Sequence, residues 1–176
     1  MTAHDLSRFV DAQDRVWTRV VAELGAGEKR SHWIWFVFPQ LVGLGRSATA
    51  ERFGIDGIGE ARAYLDHATL RARLEEATEL MLTLDDGVSL RAVLGTPDDL
   101  KFRSSMTLFE AVTDGMAHDG APYRRALARF CGGERDGRTL TLLPPPGAAR
   151  ATAPPRTPAG PSDRRAPRAR LRRPPR

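Results

Sequence analysis

The sequence predicts an all-α fold, a compact single-domain helical bundle followed by a disordered C-terminal tail. Three observations carry that reading. Apolar residues recur at three- and four-residue steps through most of residues 1–143. Cap-forming Ser, Thr and Asp precede those runs, and Gly closes several of them. No alternation of strand-like and helix-like runs passes through the chain.

The elements follow in order. Residues 5–24 read as one amphipathic helix, with Leu6, Phe9, Val10, Val16, Val20, Val21 and Leu24 on its stripe. Asp5 caps it, and Gly25 or Gly27 ends it. Gln13 sits on the stripe as a boundary residue. Residues 32–38, HWIWFVF, have the aromatic and β-branched content of a buried strand, and equally fit two turns of buried helix after Ser31. Residues 42–45 form a loop, and Ser47 caps a short helix that Gly54 ends. A short helical stretch covers 58–66. Thr69 caps a longer helix carrying Leu70, Leu74, Ala77, Met81 and Leu84 on one face, closed by the Asp85-Asp86-Gly87 turn. Ser89 to Leu94 adds a short turn.

Thr96-Pro97-Asp98-Asp99 is the cleanest start signal. Threonine caps, proline takes the first helical position where its missing N–H costs nothing, and two carboxylates face the positive end of the helix dipole. That helix runs to about Val112. Pro122 opens the last one, with Gly132-Gly133 after it, and Leu140, Leu142 and Leu143 dock the end of the domain.

Charge divides the chain in two. Residues 144–176 hold nine Arg, one Asp and ten Pro, a net of +8. Residues 1–143 keep 18 basic and 21 acidic side chains, a net of −3. The pI near 10.3 therefore belongs to the tail, and the folded body does not have the charge of a nucleic-acid binder. A body of this length buries roughly two-thirds of its unfolded surface, enough for a core. The tail has too little apolar surface to offset its chain entropy. Its arginines fit weak, salt-sensitive contact with nucleic acid or an anionic surface. The one cysteine, Cys131, allows no internal disulfide and fits a reducing compartment. The N-terminus lacks the pattern of a signal peptide, and no run approaches the length of a membrane span. The expected location is the cytoplasm.

Two stretches resemble the signatures of a known bacterial family. The first begins with Asp5-Leu6-Ser7-Arg8-Phe9 and Ala12-Gln13, continues through Lys29, Ser31-His32-Trp33, Trp35-Phe36 and Phe38-Pro39-Gln40-Leu41, and ends at Gly43-Leu44-Gly45 and Ser47. The second is Lys101 with Ser104-Ser105-Met106-Thr107-Leu108-Phe109. The pattern is similar to that of the uncharacterised family called domain of unknown function 1810, over residues 5 to about 143. The resemblance implies a compact, mainly helical fold and tips residues 32–38 toward helix. It implies no activity. The label calpastatin, sometimes attached to members, does not suit a folded chain without repeats.

Both signatures are polar for core elements. Packed together, they would make a cleft with aromatic surface, two ammonium groups and several hydroxyls, the usual make-up of a ligand site. The ligand-binding candidates are Lys29, Ser31, Trp33, Trp35, Gln40, Ser47, Lys101, Ser104 and Ser105. A nucleotide-like molecule suits them, its base stacked on Trp33 or Trp35 and its phosphate on Lys29 or Lys101. His32 is the candidate acid or base, and Asp98 or Asp99 would orient it or act directly. Each has a structural alternative: the aromatics as core, Ser31-His32 as a helix cap, Lys29 as a solvated charge, Ser104-Ser105 as a helix-packing point and Asp98-Asp99 as a helix start. No metal-ligand spacing and no phosphate-loop, dinucleotide or nucleophile-elbow fingerprint is present. Two functions follow. One is a ligand-binding protein or cofactor-independent hydrolase, N-glycosidase-like, acting on a nucleotide- or sugar-phosphate-like molecule. The other is a non-enzymatic interaction module.

Overall fold

The computed structural model describes residues 4–113 and 116–143. The tail expected from residue 144 onward lies outside them. The described residues form an all-α domain with no strand. Its helices are α1 (Ser7–Asp14), α2 (Trp17–Gly25), α3 (Ile34–Val37), α4 (Ala48–Arg52), α5 (Gly57–Asp66), α6 (Ala68–Leu82), α7 (Leu90–Leu94), α8 (Asp98–Val112), α9 (Ala121–Cys131) and α10 (Gly137–Leu142).

Helix α8 is the axis of the domain. Every residue from Ser104 to Glu110 is buried, so that stretch of the helix is enclosed on all sides. It packs against α3, α5, α7, α9 and α10. Its small polar residues allow that enclosure because two of them return their hydroxyls to their own helix. Ser104 Oγ donates to the Leu100 carbonyl at 3.0 Å, and Thr107 Oγ1 to the Arg103 carbonyl at 2.8 Å. Phe102 and Phe109 seat α8 in an aromatic core. Phe102 meets Phe38 edge-on at 4.8 Å between centroids, and Phe109 lies 5.3 Å from Tyr64.

The single helix expected over 5–24 is two. The chain leaves helical geometry at Val16, whose N–H turns back to the Gln13 carbonyl at 3.0 Å. The break re-aims the second half: α1 packs on α3 and reaches α6, whereas α2 packs along α6. Gln13 is fully enclosed and not a boundary residue. Its amide donates to the Phe36 carbonyl at 2.7 Å and to the Tyr64 hydroxyl at 3.0 Å. It thereby satisfies a carbonyl that the four-residue α3 cannot pair within itself.

Residues 34–37 form helix, as the resemblance implied. Several helix ends differ from the sequence reading by a residue or more. Helix α6 is capped by His67, whose Nδ1 accepts from the Leu70 N–H at 3.4 Å, and Thr69 lies inside its first turn. At α8 proline occupies the N-cap position, and the Thr96 hydroxyl donates to the Asp99 carboxylate at 3.1 Å. The last segment is a helix, α10, capped by Asp136, and it docks through buried Thr139. Leu140 and Leu142, expected to dock, stand exposed at 40% and 49%. Ser47 caps α4 as expected, and Ser89 caps α7.

Replacing Gln13 by Leu keeps the volume and strands the Phe36 carbonyl in the core. The expected loss is about 1–3 kcal/mol, read by urea denaturation of the variant beside the wild type. Unchanged stability would show that the Gln13 hydrogen bonds contribute nothing net.

Candidate functional site

The segment between α2 and α3 is organised by one carboxylate. Glu23 lies on the buried face of α2 and is 8% exposed. It accepts from the backbone N–H of Arg30 at 2.9 Å and of Ser31 at 3.1 Å. It also accepts from the Ser31 hydroxyl at 2.7 Å and the Trp33 indole N–H at 2.8 Å. Burial pushes its pKa up, but the bonds donated by Ser31, Arg30 and Trp33 outweigh burial and draw it down to about 2. Residues 30–33 have no helical partners for these donors, so the carboxylate gives the loop its shape.

That shape delivers Lys29 to the start of α8. The Lys29 N–H donates to the Val93 carbonyl at 2.8 Å, tying the loop to α7. Its Nζ meets Asp98 Oδ2 at 2.6 Å and lies 5.3 Å from the centre of the Trp33 ring. Lys101, one turn into α8, reaches the other oxygen of Asp98 at 2.8 Å, and its Nζ stands 4.3 Å from the centre of the Trp35 ring. Two ammonium groups thus share one carboxylate, and each also faces an indole. The side chains are shielded without being sealed: 7% exposed for Lys29, 15% for Asp98 and 16% for Lys101. Burial raises the pKa of Asp98, and the hydrogen bonds from Lys101 and Lys29 overcome it, so the group lies below its usual range. Asp98 is therefore an ionised acceptor near neutral pH, and the three charges sum to +1.

The candidate residues divide on these contacts. Lys29, Trp33, Trp35, Asp98 and Lys101 come together. Trp33 is enclosed, with its N–H spent on Glu23, whereas Trp35 is half-buried beside Lys101. Ser31 turns inward to Glu23. His32 is exposed, and among the described residues its ring nitrogens have no hydrogen-bond partner, Asp98 included. Asp99 is engaged with Thr96. Gln40 is buried, and its carbonyl accepts from Ile55 N–H at 2.9 Å, closing the loop onto the Leu41–Ile55 bridge. Ser47 serves α4. Ser104 faces the Asp136 cap of α10, its one hydroxyl proton shared between the Leu100 carbonyl at 3.0 Å and Asp136 Oδ2 at 3.1 Å. Ser105 is enclosed, and its hydroxyl has no partner among the described residues. Gly45, in the glycine pair of the first signature, answers a packing need: a Cβ there would stand 2.5 Å from the Ala50 Cβ. Burial raises the pKa of the Cys131 thiol.

Glu23 was not among the candidates. Its signal is a carboxylate on the apolar stripe of α2, three residues after Val20 and next to Leu24. A buried carboxylate needs donors, and the nearest donor-rich segment follows directly.

The low pKa of Glu23 predicts a pH dependence. Its contribution to stability is present above the ordinary value of 4.5 and is lost as pH falls through about 2. The full shift corresponds to on the order of 3 kcal/mol. Glu23→Gln should lower stability at pH 7 and flatten the acid limb between those values, measured by denaturant titrations across pH. An acid limb identical to wild type would remove Glu23 from the account.

Comparison with known proteins places this geometry in a family. Among curated proteins no relative matches the chain. A solved structure described as the conserved hypothetical protein Rv1873 from Mycobacterium tuberculosis is similar to it, with 50% identity and a TM-score of 0.75. The match covers 79% of this chain and 96% of that one. A family model described as protein of unknown function (DUF1810) matches residues 3–143. That span includes every described residue but none of the tail, and the chain belongs to this family.

Proposed function

We propose that the protein binds a small anionic molecule at the Lys29–Asp98–Lys101 cluster, with Trp35 as the adjoining aromatic surface. The observation that carries the reading is the sharing of one carboxylate by two ammonium groups. Each ammonium has three N–H donors, and each gives one to Asp98. The remaining donors and the net charge of +1 suit a phosphate or carboxylate, and the positive end of α8 points the same way. The half-buried Trp35 indole suits a flat ring. A nucleotide- or sugar-phosphate-like ligand joins these features. Binding is favoured over hydrolysis because Asp98 is held ionised and His32 has no orienting partner. Cleavage of an N-glycosidic bond would require the ligand itself to engage His32. No cofactor enters this reading. It places the protein in the cytoplasm, in keeping with a lone cysteine.

A second reading, the interaction module, is favoured by an exposed apolar group. Val42 is 45% exposed, and Leu142 approaches within 3.9 Å of a Cβ built on neighbouring Gly43. Contact of the arginine-rich residues 144–176 with nucleic acid or an anionic surface belongs to that reading too.

A thermal-shift screen of the full chain tests the two against each other, using nucleotides, ADP-ribose, NAD and sugar phosphates. A ligand at 100 times its Kd adds about 2.7 kcal/mol, a rise of several degrees. Lys101→Met keeps the aliphatic stem over Trp35 and removes the charge. The expected result is a shift with at least one phosphate-bearing compound that Lys101→Met and Lys29→Met both abolish. A folded wild type that shifts with none of them, or shifts equally in both variants, overturns the binding site in favour of the interaction module.

A further inference from the structure

We propose that a separate cavity beside the C-terminal end of α9 is a second ligand site, taking a compact zwitterion of the amino-acid type. The cavity has a volume of about 210 Å³ and is lined by Glu110 of α8, Arg124 and Leu127 of α9, and Gly133 and Arg135 of the following segment. Its charge pattern is uneven. The Glu110 side chain is 6% exposed, and Oε1 takes an N–H from Arg135. Oε2 is buried and has no hydrogen-bond partner among the described residues. Buried carboxylate oxygens are seldom left so. The arginine side chains, by contrast, are half exposed and hold donors in reserve. Arg135 spends one nitrogen on Glu110, and Arg124 one on Asp119 at 3.3 Å. A guanidinium carries five N–H donors in a fork that matches carboxylate and phosphate.

The size and the charges together set the ligand class. The volume is below the range of roughly 300–1,000 Å³ typical of drug-sized ligands, too small for a nucleotide and suited to a molecule of a few carbons. Oε2 is covered, so a ligand reaches the carboxylate by inserting into the Glu110–Arg135 pair. Its anionic end takes the guanidinium, which is free to swing outward, and its ammonium takes Glu110. A plain anion would draw Arg135 away and leave the whole buried carboxylate unpaired, a cost that selects against it. Leu127 forms the apolar wall, and Gly133, without a side chain, leaves room beside it.

The test is isothermal titration of the full chain with L-serine, O-phospho-L-serine and inorganic phosphate. A zwitterion should bind at least about tenfold more tightly than phosphate, the ratio expected when a buried polar group is left unpaired. Arg135→Ala should abolish zwitterion binding. Glu110→Gln, which preserves shape, should shrink the preference toward unity, and circular dichroism confirms that each variant is folded. The titrations are run in parallel in a Lys29→Met background, which disables the first site; the zwitterion preference, and its loss on adding Arg135→Ala, should persist there, which separates this site from the first. Failure of both zwitterions to bind the folded wild type overturns the proposal. So does equal affinity for phosphate, or binding that neither Glu110→Gln nor Arg135→Ala alters.

Discussion

Glu23 accepts four hydrogen bonds from three residues, and the arrangement of the site depends on them. The segment from Glu28 to Trp33 is too short and too polar to hold a fixed path through apolar packing alone. A buried carboxylate changes that balance. Each donor it meets loses its competition with water, and the charge strengthens every bond. The same atoms fix Trp33 in the core and turn Lys29 toward α7 and α8. Without this anchor the loop would retain its chain entropy, and the Lys29 ammonium would be delivered to no particular place.

The cluster at the start of α8 has a similar logic with the opposite charge in excess. Asp98 alone would be poorly placed against an enclosed surface, because burial favours its neutral form. Two lysines reverse that preference. Lys101 belongs to the same helix and is brought to Asp98 by the three-residue step. Lys29 comes from 69 positions earlier and is brought there by the Glu23 loop. Half of the charge cluster is thus local in origin and half is tertiary. The indoles of Trp33 and Trp35 complete it, one as an enclosed wall and the other at the surface.

This division between local and tertiary origin also separates what the sequence shows from what it conceals. The helical class was legible because apolar spacing is a local signal, and Leu70, Leu74, Ala77 and Met81 of α6 lie inward where the spacing put them. Lys29, Asp98 and Lys101 were legible as candidates through their residue types and the family signatures. Their mutual contact was not, since a path of 69 residues cannot be read from spacing. Helix ends moved for separate reasons: His67 supplies the acceptor at α6 in place of Thr69, and at α8 the Thr96 hydroxyl is spent on Asp99 and caps no backbone N–H. The break at Val16 was hidden because an apolar stripe continues across it, and both halves meet α6 while α1 also packs on α3. Glu23 and Gln13 share a further reason. Each is a polar residue on an apolar face, and the donors or acceptors that justify burial lie on another segment. Ser104 shows the converse, a signature hydroxyl whose contacts are a helix carbonyl and Asp136.

Amide hydrogen exchange at Arg30 and Ser31, followed by NMR in the wild type and in Glu23→Gln, bears most directly on the role of the clamp. Both N–H groups lie outside any helix, so their protection reports the Glu23 bonds and little else. The account predicts protection at both amides well above that of an open loop. It also predicts that Glu23→Gln removes most of it while the amides at the centre of α8 stay protected. Rapid exchange at Arg30 and Ser31 in the wild type, or protection that survives Glu23→Gln, would contradict it.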